Sequence, residues 1–585
     1  MTFSGLDTLA AVPDMLTDAA AARADEDLPR GGTLLARTLA GHGVRTLFTL
    51  PGGHILPFLD ACGEAGIRVI DTRHEGAATL AAEGWALSTG ETGVAAVTAG
   101  PGFTNGLTGL ADAGAWSVPL LMIGGRTSLS RQGKGAVMDI DQRAVATPLA
   151  KWAGTCLDAA RVPEFTARAL HLARSGCPGA VYLDVPSNAM YHTPAPLDIA
   201  VPSFPANLPM PAAPPADVGT VLHELRKAER PLILCGSGVF WSGAGPSVAA
   251  FAERAEIPVI TASAARGAVP DSHPWCLGSL VHGGLALPAS DCVLVLGSAF
   301  NANVMYGGPP LFGEDHTVIQ VDIDPGRLGG NRKPDVAVAG DIASFVHDLE
   351  QAWRESPPGR ADWLQRCRDL TAASLGFWDQ QIEANPGELL HTGAVVRELV
   401  AAVRERTGEA VTWVADGGDA LAWALAYFPA ELPGHLLTTT TALGTLGVGL
   451  PFALAAQAAR PQERVVVFVG DGSFGLSAME VDTAVRHGLP VVVVVSNNGG
   501  WGDVRHEQDM LFGEGRQVAS RLAPVRYDLL AQALGGHGER VERLEELRPA
   551  LHRSLDSGVC SVIDVQTDPA VLSELLRMVA SLGLM

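Results

Sequence analysis

The chain has little positive charge. Its 585 residues carry 41 lysines and arginines against 63 aspartates and glutamates, a formal net charge of −22. Nucleic acid and anionic membrane surfaces need clustered cations, so this balance excludes both as the main partner. An anionic small substrate stays open, because a few local cations or a metal offset a global field. Cysteines are also few. The eight, at 62, 156, 177, 235, 276, 292, 367 and 560, contain no CxxC pair. That excludes a zinc ribbon and a disulfide framework and reads as reduced, mostly buried thiols. No uninterrupted apolar run reaches bilayer-spanning length. The opening stretch, residues 1–30, carries acids throughout and no cationic start, so it reads as a polar extension and not a secretory signal. The expectation is a soluble, cytoplasmic protein.

What the chain does have is 47% hydrophobic residues and 67 glycines. A chain this long exceeds one core and suggests about three or four units. Apolar runs of strand length, "VRTLFTL" (44–50), "IRVIDT" (67–72), "GVAAVTA" (93–99), "PLLMIGG" (119–125) and "GAVYLDV" (179–185), alternate with stretches such as 75–88 that read as amphipathic helices. Short apolar runs separated by helices predict a parallel sheet covered on both faces. The pattern recurs in "RPLILCGSG" (230–238), "IPVITA" (257–262), "DCVLVLG" (291–297) and "TVIQVDID" (317–324), and again from "AVTWVADGGD" (410–419) to "SVIDVQTD" (561–568). The predicted class is α/β, with three doubly wound parallel-sheet domains at 31–193, 218–355 and 389–570. A proline-rich linker (194–217), a charged helix-prone linker (356–388) and a tail (571–585) with apolar residues at helical spacing complete the chain. Ligands of such sheets sit at the C-terminal ends of strands.

The stretch "VFVGDGSFGLSAMEVDTAVRHGLPVVVVVSNNGG" (467–500) shows where. Two β-branched runs, each a predicted buried strand, end in Asp471 and in Asn497-Asn498, with a helix predicted over about 478–488. A right-handed crossover makes the two strands neighbours, so both ends meet at one sheet edge. One carboxylate and one amide carbonyl make a poor zinc site but a partial shell for Mg²⁺, which takes oxygen ligands and shares its octahedron with phosphates. Glycines 470, 472, 499 and 500 let backbone approach an anion, and a helix start after Ser473 offers N–H donors. The plainer alternative is that DG and NG only close turns.

GDG, 24 residues, then NN resembles the signature of thiamin-diphosphate enzymes. The resemblance implies Mg²⁺ held by Asp471, the Asn498 side chain and the Gly500 carbonyl, with Gly472 and Ser473 on the diphosphate. "DGGD" (416–419) resembles the family's other diphosphate loop, which brings in Gly418 and Asp419. "LGTLGVGLP" (443–451), with Gly444, resembles the stretch whose bulky residue, here Leu446, wedges the cofactor into its bent shape.

Glu75 stands after a predicted strand at a helix start, where the helix dipole alone would favour it. Yet "RHE", "AAEGWA" and "AGPGFTN" within 73–105 resemble the pyrimidine-binding domain of acetolactate synthases, 2-hydroxyacyl-CoA lyases and benzaldehyde lyase. By that resemblance Glu75 activates the bound cofactor, which carries the hard chemistry. The resemblance, over roughly 30–570, also implies a homodimer or homotetramer with active sites at the subunit interface.

Substrate choice is read from departures. His54 in "LPGGHILPF" (50–58), after Gly53, takes a place that is usually small in acetolactate synthases and is histidine in benzaldehyde lyase; it reads as a proton shuttle or as a structural histidine. Val137 and Met138 replace the Phe and Gln of a GAFQE-type segment. In "NNGGWGDVRHEQ" (497–508), Trp501-Gly502 matches benzaldehyde lyase, while Asp503 and Glu507 replace the synthase's Met and Trp. Either acid could instead be a solvated helix-face residue. With Phe103 and Val504 these residues form the predicted substrate pocket. Segment 296–307 lacks the arginine-bearing stretch of FAD-binding synthases, so the middle domain is read as taking no FAD, with FAD or ADP as alternatives. The implied function is a thiamin-diphosphate carboligase or lyase (in transferase terms, an acyl carrier) of acyloin type, fed by decarboxylation of a 2-oxo acid. Alternatives are an acetolactate synthase-like enzyme, a 2-oxo-acid decarboxylase, a 2-hydroxyacyl-CoA lyase or, remotely, a catalytically silent regulatory subunit.

Overall fold

The computed structural model describes residues 30–581 apart from 193–198, 201, 203–209, 355–358, 386 and 439–442. The polar extension and parts of both expected linkers and of the tail therefore lie outside the described residues. The chain forms two compact units. One comprises residues up to 82 together with 92–207, and the other 83–91 together with 208 onward.

The first unit holds one sheet of six parallel strands, β1 (Thr46–Thr49), β2 (Arg68–Asp71), β3 (Gly93–Val97), β4 (Leu120–Arg126), β5 (Trp152–Thr155) and β6 (Ala180–Pro186), in the order β2-β1-β3-β4-β6-β5. The helix over Glu75–Thr89 is buried nearly all round, not amphipathic as expected. Its alanines and glycines make it thin enough to be covered on every side.

The second unit contains two sheets. The middle one runs β7 (Pro231–Cys235), β8 (Val259–Thr261), β9 (Cys276–Ser279), β10 (Cys292–Leu296), β11 (Thr317–Asp322) and β12 (Val336–Ala339), in the order β12-β11-β10-β7-β8-β9. The last comprises β13 (Val411–Asp416), β14 (Leu436–Thr438), β15 (Arg464–Gly470), β16 (Val492–Asn497), β17 (His537–Val541) and β18 (Ser561–Gln566), in the order β14-β13-β15-β16-β18-β17. β15 and β16 pair in parallel, Gly470 opposite Ser496, as the crossover rule requires.

Residues 356–388 are not a loose connection. A helix spans Ala361–Glu383. It buries Trp363, Leu364 and Cys367 in the middle core and Trp378 and Ile382 in the last. Burying that much aromatic and aliphatic surface, at about 1.5–3 kcal/mol per large side chain, fixes the helix to both cores. The helix Pro215–Lys227 likewise begins inside the stretch expected as linker. The tail folds back as its spacing suggested: Val571 is buried in the last core and Leu575 packs against it.

Candidate active site

The residues expected at the site fall in both units, and each set is described within its own unit. In the first, Glu75 opens its helix directly after β2 and is 7% exposed. Asn105 Nδ2 donates to Glu75 Oε2 at 3.0 Å. The other oxygen, Oε1, faces Gly102, whose Cβ, if present, would lie 3.3 Å away. One oxygen is thus fixed and the other kept open by a missing side chain.

His54 sits in a short 3-10 turn, Gly53–Ile55, just after β1. Its Nδ1 hydrogen bonds with Thr98 Oγ1 at 3.1 Å. Burial lowers its pKa, so the ring is neutral at pH 7. Gly125 is required beside it, since a Cβ there would meet His54 Cβ at 2.6 Å. Met138 takes φ +64 and packs over Gly100, whereas Val137 is 78% exposed. Phe103 is fully buried, its ring 5.1 Å from that of Tyr182, so within this unit it is core and not open pocket.

Sequence reasoning missed the groups that hold these residues. Buried Gln142 accepts from Gly100 N at 3.0 Å and donates to Gly125 O at 2.9 Å and Tyr182 Oη at 2.8 Å. Buried Asp184 takes a 2.8 Å ion pair from Arg126. Burial pushes the Asp184 carboxyl up to about 6 despite that pair. An aspartate ending an otherwise apolar strand, "GAVYLDV", was the available signal.

In the second unit, three strand ends of the last sheet meet. Asp416, at the end of β13, is fully buried; its Oδ2 accepts from Gly449 N at 2.9 Å and its Oδ1 from Ser473 Oγ at 3.1 Å. The DGGD motif contains it without announcing that it ties three loops together. Asp471 follows β15, 2% exposed, and accepts from Gly500 N at 3.0 Å. Burial raises Asp416 and Asp471 to about 6. Two short helices, Asp471–Ser477 and Glu480–Arg486, replace the single one expected over 478–488. The first begins at Asp471, so Ser473 lies inside its first turn instead of before it.

Asn498 follows β16. Its Oδ1 is buried and has no hydrogen-bond partner. An orphaned amide oxygen beside a buried carboxylate and a reversed glycine loop is an oxygen-only donor set, which fits a hard divalent cation. Among the described residues no cluster of three or more His, Cys, Asp or Glu could hold a metal. Only a mixed shell of carboxylate, amide and backbone oxygens is therefore on offer. Gly444 takes φ +72 just before Leu446, which is half-buried.

The acids beyond the loop are packed inward. Asp503 rests on Gly418, where a Cβ would meet its Oδ2 at 2.5 Å, and its Oδ1 is buried without a partner. Burial, then Glu507, then Asp419 push Asp503 up to about 7. Glu507 is half-buried and Val504 is 44% exposed. Trp501 lies on Gly472, where a Cβ would meet its ring at 2.6 Å. Asp419 differs from expectation: Ser573 N donates to its Oδ1 at 2.7 Å and Trp423 Nε1 to its Oδ2 at 3.2 Å. Its side chain is thus engaged by the returning tail and by its own helix.

Three domain models of the thiamine pyrophosphate enzymes match the chain: the N-terminal TPP binding domain over residues 29–145, the central domain over 218–349 and the C-terminal TPP binding domain over 416–565. An acetolactate synthase large subunit of Mycobacterium tuberculosis is 37% identical over 553 residues, 92% of this chain and 96% of that protein. A 2-hydroxyacyl-CoA lyase 2 of Bos taurus is 34% identical over 556 residues, 88% and 86% of the two chains. Acetolactate synthase isozyme 2 large subunit of Escherichia coli is 31% identical over 543 residues, 92% and 95%. With Glu75 on one sheet and the Asp471–Asn498 pair on another, the chain belongs to the thiamine pyrophosphate enzymes, in the group that includes acetolactate synthases and 2-hydroxyacyl-CoA lyases.

Proposed function

We propose that the protein is a thiamin-diphosphate- and Mg²⁺-dependent carboligase that takes a 2-oxo acid as donor and a carbonyl compound without a carboxylate as acceptor. The observation that carries this reading is Asp503, packed against the Gly418 loop with the Glu507 charge acting on it. A buried acid whose charge is already disfavoured resists a second carboxylate placed beside it, whereas a neutral aldehyde or ketone adds no charge to the site. When bound, thiamin diphosphate supplies the carbon that adds to a carbonyl and takes up the electron pair released when the neighbouring C–C bond breaks.

The chain's own residues do the rest. Asp471 Oδ, Asn498 Oδ1 and the Gly500 carbonyl would hold the metal. Gly418, Gly472 and Ser473 would give close backbone and hydroxyl contact to the diphosphate, and Leu446 would bear on the cofactor's bend. Oε1 is the Glu75 oxygen left to meet the cofactor, because Asn105 engages Oε2. His54, neutral and held through Nδ1, offers Nε2 to a substrate oxygen. Gly53, Val137 and Met138 in the first unit, and Trp501 and Val504 in the second, are the residues assigned to substrate. A homodimer or homotetramer with active sites at subunit interfaces, and a cytoplasmic setting, agree with the family and with eight unpaired cysteines. No FAD is assigned to the middle domain, because segment 296–307 carries no arginine. A silent regulatory subunit would not need Glu75, Asp471 and Asn498 together.

The test is product analysis by mass spectrometry with Mg²⁺ and thiamin diphosphate, using pyruvate alone, pyruvate with benzaldehyde, and benzoin. The expected result is CO₂ release with a mixed hydroxy ketone from the second mixture. Acetolactate from pyruvate alone would overturn the neutral-acceptor reading, and benzoin cleavage without CO₂ would move the protein to the lyases. Turnover confined to a 2-hydroxyacyl-CoA would do the same for that alternative.

A further inference from the structure

The loop that carries Asn498 and Gly500 is held from behind by a pair of side chains outside the metal shell. Asn497 closes β16 and is 5% exposed. Its Nδ2 donates to Asp564 Oδ1 at 2.8 Å and to Val525 O at 3.2 Å, and its Oδ1 accepts from Gly499 N at 3.3 Å. Thr567 N adds a bond to the Asn497 carbonyl at 3.0 Å. Asp564 lies on the neighbouring strand β18 with no exposed side chain. Besides Asn497, its Oδ1 receives Gln566 Nε2 at 3.1 Å, and Arg540 Nη1 stands 3.8 Å from Oδ2.

A buried carboxylate is costly unless it is used, and this one has few hydrogen bonds to offset that cost. Its strongest bond goes to the residue before the amide expected on the metal. The loop is strapped on its other side as well. Leu522 N donates to Gly499 O at 2.8 Å, and Trp501 N to Ser520 O at 2.9 Å. Asn497 reaches the same strap through Val525. The side chain of Asn497 therefore links β18, the strap and the reversed residue Gly499 (φ +68) at once. The loop's path fixes where Asn498 Oδ1 and the Gly500 carbonyl stand relative to Asp471.

We propose that Asp564 and Asn497 are a positioning pair for the metal loop: Asp564 orients the Asn497 amide, and that amide sets the turn presenting Asn498 and Gly500 to a divalent cation. The inference rests on the reading that Asp471, Asn498 and Gly500 form the metal shell. Partners just outside a metal shell typically contribute 10–100-fold to metal affinity.

The experiment strips the full-length protein of metal with EDTA and titrates Mg²⁺ at saturating thiamin diphosphate by calorimetry. Asn497→Ala and Asp564→Ala are each expected to weaken Mg²⁺ binding by about 10–100-fold, with the double variant no weaker than the worse single one. Asp564→Asn, which keeps an acceptor oxygen for Asn497, should recover most of the loss. The metal-free variants are expected to unfold a few degrees lower, as the loss of buried hydrogen bonds requires, and to be fully folded at the titration temperature. If Asn497→Ala does not fold, Asn497→Asp keeps the volume and sets two carboxylates face to face, with the same loss expected. Binding within threefold of the parent, or losses that add in the double variant, would overturn the pairing. Asp471→Ala run alongside separates the two readings. If it leaves Mg²⁺ affinity intact, the metal shell itself is misplaced; if it abolishes binding while the Asn497 variants do not weaken it, only the positioning pair fails.

Discussion

The first and last sheets share one topology, and the proposed function divides its chemistry between them. Numbered within each sheet, both run 2-1-3-4-6-5 with every strand parallel, whereas the middle sheet runs 6-5-4-1-2-3. Corresponding loops therefore leave corresponding strand ends. After strand one comes His54 in the first sheet and Asp416-Gly417-Gly418 in the last. After strand three come Gly100–Phe103 and Asp471–Ser473, and after strand four the Val137–Met138 segment and Asn498–Asp503. In the proposed function the first sheet contributes His54 and Glu75 for proton exchange, and the last the oxygens of Asp471, Asn498 and Gly500. Topology determines where a ligand is met; the residue types at the ends determine what is done to it.

The division can be broken from either side. The largest effect is expected at Glu75: Glu75→Gln should lower turnover roughly 10²–10⁴-fold while calorimetry still shows thiamin diphosphate bound. A loss of less than tenfold would remove the proton role from the first sheet. Next, Asp471→Ala should weaken Mg²⁺ by more than the about 100-fold that losing an outer partner costs, read by titration against cofactor-saturated protein. At His54, His54→Ala should reduce kcat by about 10² and remove an acid limb from the pH profile. Because burial lowers the His54 pKa, that limb lies below the ordinary 6.5, and activity falls as pH drops through it. A limb above 6.5 would assign it to another group.

The smallest effect concerns stability. The Asp503 carboxyl is raised from 3.8 to about 7, so its contribution is full below 3.8 and is lost as pH rises through 7. Asp503→Asn should then raise the unfolding temperature of the metal-free protein by roughly 2–4 °C at pH 8. The gain should grow between pH 4 and 7 and stay flat above; a gain that shrinks with rising pH would contradict the burial of that charge.

Most of the fold was legible because central strands of a parallel sheet are apolar along their whole length. β3, β10, β15 and β16 stood out for that reason, buried at nearly every residue. The strands that escaped notice, β5, β9, β12, β14 and β17, are all at sheet edges. Edge strands are half wetted, and "HGERV" of β17 carries no apolar run to detect. Asp471 and Asn498 were visible because glycine and oxygen ligands recur at a fixed spacing. Gln142, Asp416 and the Asn497–Asp564 pair were not, because each acts on backbone brought together only by the fold. Asp419 was read by its position in DGGD, and nothing local in the sequence announces that Ser573, far along the chain, takes its carboxylate.

That bond has a consequence for biosynthesis. Arg505 Nη2 donates to Pro569 O, His506 Nε2 hydrogen bonds to Val571 O, and Ser573 N–H closes Asp419. The diphosphate loop and the helix Gly502–Phe512 are therefore completed by residues translated long after them. Removing the chain from residue 573 onward is expected to leave the sheets formed and Asp419 without its backbone donor, read as lowered turnover at an unchanged circular dichroism spectrum.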